Sequence, residues 1–262
     1  MKVLAGFCQS RINDPKLVTC YFDEESKMWK QLSSVGNLCA PVRQWSTAER
    51  IGNYLYLVSS DGSSSDIYRY HIVEKLWEKL PEPSSHRVIH CLCSLGDHVY
   101  AISPSSPPEI YSLADNTFRQ GTNNLHLLEQ KRELKTVAAA VMNSKLYVLH
   151  GFLKQHSYKS FKQGKAPAPA LVHCFDPTKN EWENVASTCH PHFGSSLFVV
   201  DDRLYVAGGK TNVSFSENAL VEVLNTQERA LSWFGRRGKN KGTWSVVDQK
   251  HIPANIISTQ WK

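Results

Sequence analysis

A chain of 262 residues with 41% hydrophobic and 21% charged side chains has the make-up of a globular protein with a real core. It is long enough for one large all-β domain or for two ordinary ones. The formal charge of +6, from 30 basic and 24 acidic side chains, is too diffuse to demand nucleic acid and suits an acidic partner. No apolar run approaches the roughly 18–20 residues that span a bilayer, and "MKVLAGFCQS" lacks the apolar length and the cleavage site of a secretory leader. Seven scattered cysteines, an odd number, point to free thiols in a reducing, cytoplasmic setting. Asn212-Val213-Ser214 is then an unused glycosylation sequon.

The chain opens on a strand-like "KVLAGF", followed by Phe22 and Trp29, seven positions apart in "YFDEESKMW". The same step of seven joins Tyr70 to Trp77, Tyr111 to Phe118 and Phe175 to Trp182, each across Asp, Asn, Pro, Thr, Ser, Lys or Glu. Two aromatics closing a turn-rich run predict a tight hairpin. Upstream of the later hairpins lies a second motif: "AERIGNYLYLVSS" at 48–60, "LCSLGDHVYAISP" at 92–104, "AAVMNSKLYVLHG" at 139–151 and "LFVVDDRLYVAGG" at 197–209. Each alternates apolar residues on both sides of a turn and carries a tyrosine, at Tyr56, Tyr100, Tyr147 and Tyr205, so each predicts an antiparallel strand pair. The only helix-like run is "LHLLEQKREL" at 125–134.

Each unit thus predicts four strands, a to d, with the aromatic of d at Trp29, Trp77, Phe118, Trp182 and Trp244. The fifth unit is stretched by an insertion at 225–243 between "LVEVL" and "WSVV". A four-stranded unit cannot bury both faces alone, and stacking such units around a channel gives a β-propeller. The aromatics are then packing residues, and the four tryptophans should be largely buried. The count predicts a single domain over 1–262, of five four-stranded blades at about 1–38, 39–84, 85–124, 132–188 and 189–250. The first unit shows only strands b to d, so the tail at 252–260 is expected to supply its fourth strand and close the ring. A six-bladed ring is the alternative.

These residues resemble the Kelch family, whose repeat of about 50 residues forms one blade. Gly208-Gly209 keeps the double glycine after strand b, where the other units read Gly6-Phe7, Ser59-Ser60, Ser103-Pro104 and Gly151-Phe152. The style of repeat is similar to the C-terminal propellers of BTB-Kelch proteins. That resemblance implies a protein-interaction module, the substrate receptor of a cullin-RING ubiquitin ligase, with the cullin held through BTB and BACK segments outside these residues. A cytoskeletal or scaffold-binding Kelch protein is the alternative, and an enzyme with its site at the channel mouth comes third.

Chemistry has little support in the sequence. There is no G-x-S-x-G, P-loop, H-E-x-x-H or C-x-x-C, so no catalytic residue, metal or cofactor is expected. Cys91 and Cys93, two apart on a strand, face one side as buried thiols. Recognition is better served. Thirteen residues before each strand-b tyrosine stand Arg43, Arg87, Leu134 and His192, at equivalent places on the d–a loops. The b–c loops add Asp61, Lys210 and, from the insertion at 153–170, Lys154 and Tyr158. Arg43, Arg87, His192, Asp61, Lys154, Tyr158 and Lys210 are the expected partner-binding residues, for an acidic or phosphorylated protein segment. The second basic insertion, with Arg236 and Arg237, belongs to the opposite c–d side. A continuous nucleic-acid groove is therefore not expected, and nor is a membrane partner.

Overall fold

The computed structural model describes residues 5–9, 17–23, 28–31, 45–60, 64–83, 88–103, 107–121, 134–152, 169–192, 194–209, 220–225 and 242–248. Among them all regular structure is β-strand, and no helix is long and apolar enough to cross a membrane. The chain falls into two compact units, residues 1–103 with 107–121, and residues 104–106 with 122–262.

The first unit holds three antiparallel meanders. Strands β1 (Ala5–Gln9), β2 (Leu17–Asp23) and β3 (Met28–Gln31) form a three-stranded sheet in that order. Strands β4 (Trp45–Ile51), β5 (Tyr54–Ser60), β6 (Ser65–His71) and β7 (Leu76–Lys79) form the next, and β8 (Cys91–Leu95), β9 (His98–Ile102), β10 (Glu109–Ser112) and β11 (Thr117–Gln120) a third. The second unit holds β12 (Leu134–Met142), β13 (Lys145–Phe152), β14 (Leu171–Asp176) and β15 (Glu181–Asn184). Its other sheet is β16 (Ser196–Val200), β17 (Arg203–Ala207), β18 (Val221–Asn225) and β19 (Thr243–Val246). Every neighbouring pair runs in chain order, which is the wiring of propeller blades. The counts of five and of six four-stranded blades are both corrected: among the described residues four blades are complete, and the first sheet has three strands. The tail at 252–260, expected to complete it, lies outside the described residues.

Turn chemistry explains the hairpins. Between strands a and b the turns are Gly52-Asn53, Gly96-Asp97, Asn143-Ser144 and Asp201-Asp202. Gly52 and Gly96 have φ of 56° and 59°, while Asn143, Ser144, Asp201 and Asp202 all lie between 48° and 56°. These left-handed conformations match the twist of two-residue hairpins, and Gly, Asn and Asp adopt them at least cost. Between c and d the loops have four residues, the last of them left-handed: Lys75 at 60°, Asn116 at 54° and Asn180 at 53°. That geometry sets the seven-residue step, because it places Tyr70 opposite Trp77, Tyr111 opposite Phe118 and Phe175 opposite Trp182. The paired rings lie 4.8, 4.9 and 5.0 Å apart, within the favoured range for tilted aromatics.

Sheets within each unit pack face to face. In the first unit Tyr56, Val58 and Ile67 meet Leu92, Val99, Ala101 and Tyr111. In the second, Met142, Leu149 and Val172 meet Leu197, Leu204, Val206, Leu224 and Trp244. The innermost strands sit side by side, β4 against β8 and β12 against β16. Between β4 and β8, the Ser94 hydroxyl donates to Glu49 Oε1 at 2.7 Å and the Ser94 amide to the same oxygen at 3.2 Å. Two expectations need correction. Trp244 is buried at 6% exposure in the cluster of Leu197, Leu204, Val206 and Leu224, but Trp77 and Trp182, although on the equivalent outermost strand of their sheets, are only half-buried. Leu134, placed at the end of the helix-like run, begins strand β12 instead, and the rest of that run lies outside the described residues.

Candidate partner-binding loops

Unit two shows how a d–a loop is held. The connection from β15 to β16 is tied to Glu222, which is fully buried at the second position of β18. The Cys189 amide donates to its Oε2 at 2.6 Å, and the His190 amide to Oε1 at 2.8 Å. His190 Nδ1 lies 2.9 Å and His192 Nε2 3.2 Å from the same Oε1. The other nitrogen of His192 lies 2.8 Å from the carbonyl of Gly208, so both ring nitrogens face acceptors. Burial works against the Glu222 charge, but the His192, Cys189 and His190 hydrogen bonds overcome it and bring the carboxyl down to about 2. The loop is pinned from the outer strand as well: Trp244 Nε1 donates to the Ala186 carbonyl at 2.8 Å, and Cys189 Sγ to the Trp244 carbonyl at 3.1 Å.

This clasp uses one carboxylate to satisfy two loop amides and two imidazoles. Glu222→Ala would leave those donors without an acceptor inside the protein. The expected cost is about 3–5 kcal/mol, read by urea denaturation; a loss below about 1 kcal/mol would mean that the loop is held by its other contacts.

Equivalent positions in the other blades hold a tyrosine, a second glutamate and a histidine. Glu222 pairs across with Val206, one residue past Tyr205. The same register gives Tyr68 opposite Leu57, Glu109 opposite Ala101 and His173 opposite Val148. Tyr68 is buried and points its hydroxyl at Asp66 Oδ2, at 3.4 Å. His173 lies against His150, ring centroids 5.2 Å apart and nearly perpendicular. Both are buried, and His150 Nδ1, His150 Nε2 and His173 Nδ1 have no hydrogen-bond partner among the described residues. Burial, reinforced by the neighbouring His173, takes His150 down to about 3, and burial takes His173 down to about 4.

Of the residues singled out in the sequence, the described structure contains His192. It is 1% exposed and serves as a strut beneath the loop; it does not reach outward. Its neighbour His190, not among the expected partner-binding residues, is the half-exposed ring of the pair. Arg43, Asp61, Arg87, Lys154, Tyr158 and Lys210 lie outside the described residues. Glu222 went unnoticed although the chain carried a signal for it, a carboxylate interrupting the apolar strand "VEVL" and again heading "EIYS" at Glu109. Cys91 and Cys93 are buried thiols, both pushed upward by burial. Among the described residues no cluster of three or more His, Cys, Asp or Glu is arranged to hold a metal.

A meander of four strands, with a tyrosine in b, a double glycine after one of them and an aromatic pair across the c–d turn, defines a Kelch-repeat β-propeller. The comparisons agree: the chain resembles Kelch-like proteins. It is 42% identical to Kelch-like protein 21 of Bos taurus over 67 residues, 26% of this chain and 11% of that protein. Over 125 residues it is 27% identical to an F-box/kelch-repeat protein of Arabidopsis thaliana, 48% of this chain and 29% of the relative. Kelch repeat and BTB domain-containing protein 12 of Homo sapiens is 24% identical over 220 residues, 78% of this chain and 33% of that protein. No family model matches the chain. The matched regions span between 11% and 33% of the length of these relatives.

Proposed function

We propose that this propeller is a protein-interaction module, the substrate receptor of a BTB-Kelch adaptor for a cullin-RING ubiquitin ligase in the cytoplasm. The observation that carries the reading is the similarity to a Kelch repeat and BTB domain-containing protein across 78% of this chain. The loop clasp supports it, since a d–a loop anchored from beneath presents a fixed outer surface, and preorganised loops bind at lower entropic cost. The cullin would be held through a BTB region outside these residues. The partner would be a protein with an acidic or phosphorylated segment, met by Arg43, Arg87, Lys154 and Lys210 with Asp61 and Tyr158 around them, while the buried His192 holds the loop from beneath.

The test is an affinity purification of the intact parent protein from cells treated with a proteasome inhibitor. A cullin and a partner whose abundance rises on depletion of the parent are the expected outcome. Recovery of a stable partner with no cullin would sink the ligase reading and favour the scaffold one. For the partner so recovered, Arg43→Glu with Lys154→Glu should slow association by about tenfold at low salt, and by less at high salt. Arg236→Glu with Arg237→Glu should change it much less. The reverse order would put the binding surface on the c–d side.

A further inference from the structure

The connection between β15 and β16 turns its hydrogen-bond donors inward. The amides of Cys189 and His190 both go to the buried Glu222. The Cys189 thiol goes to the Trp244 carbonyl, and the Thr188 amide to the Ala170 carbonyl at 3.0 Å, next to the start of β14. The Thr188 hydroxyl donates to the His190 carbonyl at 2.7 Å.

His190 has four polar atoms, and three of them are engaged within the protein. Its amide and its Nδ1 meet Glu222 Oε1 at 2.8 and 2.9 Å, and its carbonyl accepts from Thr188. Pro191 follows it and restricts its backbone to extended conformations. Glu222 is ionised, and a carboxylate only accepts, so the hydrogen of the ring contact sits on Nδ1. The neutral ring then keeps a lone pair on Nε2. The two nitrogens diverge across the ring, and Nδ1 is directed at a carboxylate with no exposure. Nε2 is therefore turned away from it, in a side chain 43% exposed. It forms no bond among the described residues.

We propose that His190 Nε2 is a binding site for a hydrogen-bond donor of the partner protein, a backbone N–H or a side-chain N–H or O–H. A carboxylate or phosphate placed there would set acceptor against acceptor, so this loop meets a stretch of the partner other than its acidic one. A ring already fixed through its backbone and its Nδ1 gives up little further freedom on binding. The contact with a partner presupposes the protein-interaction reading above, whereas the state of the ring does not.

The ring can be tested on the whole chain without a partner. Long-range proton–nitrogen NMR spectra of histidine-labelled protein, with His190→Gln to assign the signals, should show hydrogen on Nδ1 and a bare Nε2 near neutral pH. Diethylpyrocarbonate acylates bare imidazole nitrogens, and peptide mass mapping should find His190 modified several-fold faster than the buried His192. Hydrogen on Nε2, or a His190 as slow as His192, would overturn the acceptor site. The partner contact is read on the complex recovered from cells. Bound partner should slow the acylation of His190 several-fold. His190→Ala should weaken the complex by about fivefold to tenfold, with a thermal midpoint within about 3 °C of the parent. A complex that forms but leaves His190 as reactive as in the free chain would overturn the contact and leave the interaction module standing. Recovery of no partner at all would remove the module reading and the contact with it, while the free chain would still report the state of the ring.

Discussion

Trp244→Ala is expected to be the most damaging single truncation of a hairpin aromatic, at about 3–5 kcal/mol. The ring is 6% exposed and closes a cluster with Leu197, Leu204, Val206 and Leu224. Its Nε1 also holds the Ala186 carbonyl at 2.8 Å, and that acceptor would lose its partner. Trp77 and Trp182 are half-buried and lie tilted against Tyr70 and Phe175 at one edge of their sheets, so their truncation removes less apolar surface from contact and costs less. Chemical denaturation of Trp244→Ala beside Trp77→Ala decides the point. Equal losses would mean that the strand-d aromatics are interchangeable after all.

A steep loss of stability on mild acidification is the second expected result. His150 and His173 are buried with free nitrogens, and are held down to about 3 and about 4. An unfolded chain protonates its histidines near 6.5, so below that pH the unfolded state binds more protons than the folded one. Stability therefore falls as pH falls, by about 1.4 kcal/mol per pH unit for each ring across the window. From pH 8 to pH 4.5 the pair should remove on the order of 5 kcal/mol. His90, lowered by burial, adds in the same direction. Glu222 loses its contribution only as pH drops through the ordinary carboxylate range toward 2, so its effect comes later. Urea midpoints at half-unit pH steps, for the parent and for His150→Leu with His173→Leu, give the comparison. The variant should show a clearly shallower decline above pH 4.5. A parent whose midpoint stays level between pH 7 and pH 5 would contradict the assignment of both rings as buried and neutral.

What the sequence revealed was whatever is written in local spacing. The seven-residue step from Tyr70 to Trp77 survives as a cross-strand ring pair because a four-residue turn ending in a left-handed residue admits one register. The tyrosines at 56, 100, 147 and 205 mark strand b in four sheets because each stands three residues past a two-residue a–b turn. The strand-d tryptophans were read too uniformly: Trp244 packs into the cluster with Leu204 and Leu224 while Trp77 and Trp182 stay half-buried on equivalent strands, and repetition in sequence does not reveal that difference. The clasp was hidden for another cause. Glu222 and His192 are 30 residues apart, and nothing in either neighbourhood says that they meet. His192 therefore read as an outward-facing member of an arginine series. The unpartnered histidines were equally silent: His150 occupies a place where Gly208 stands in the last blade, and only burial distinguishes it from a surface ring.

The way Glu222 grips its loop also bears on how such a surface can change over generations. The carboxylate takes two backbone amides, which every residue but proline provides, so Cys189 and His190 could be replaced without releasing those two bonds. The upper side of the loop can then drift in sequence while its path stays fixed by the strand below. Inheritance of the scaffold and variation of what it displays are thereby assigned to different atoms of the same few residues.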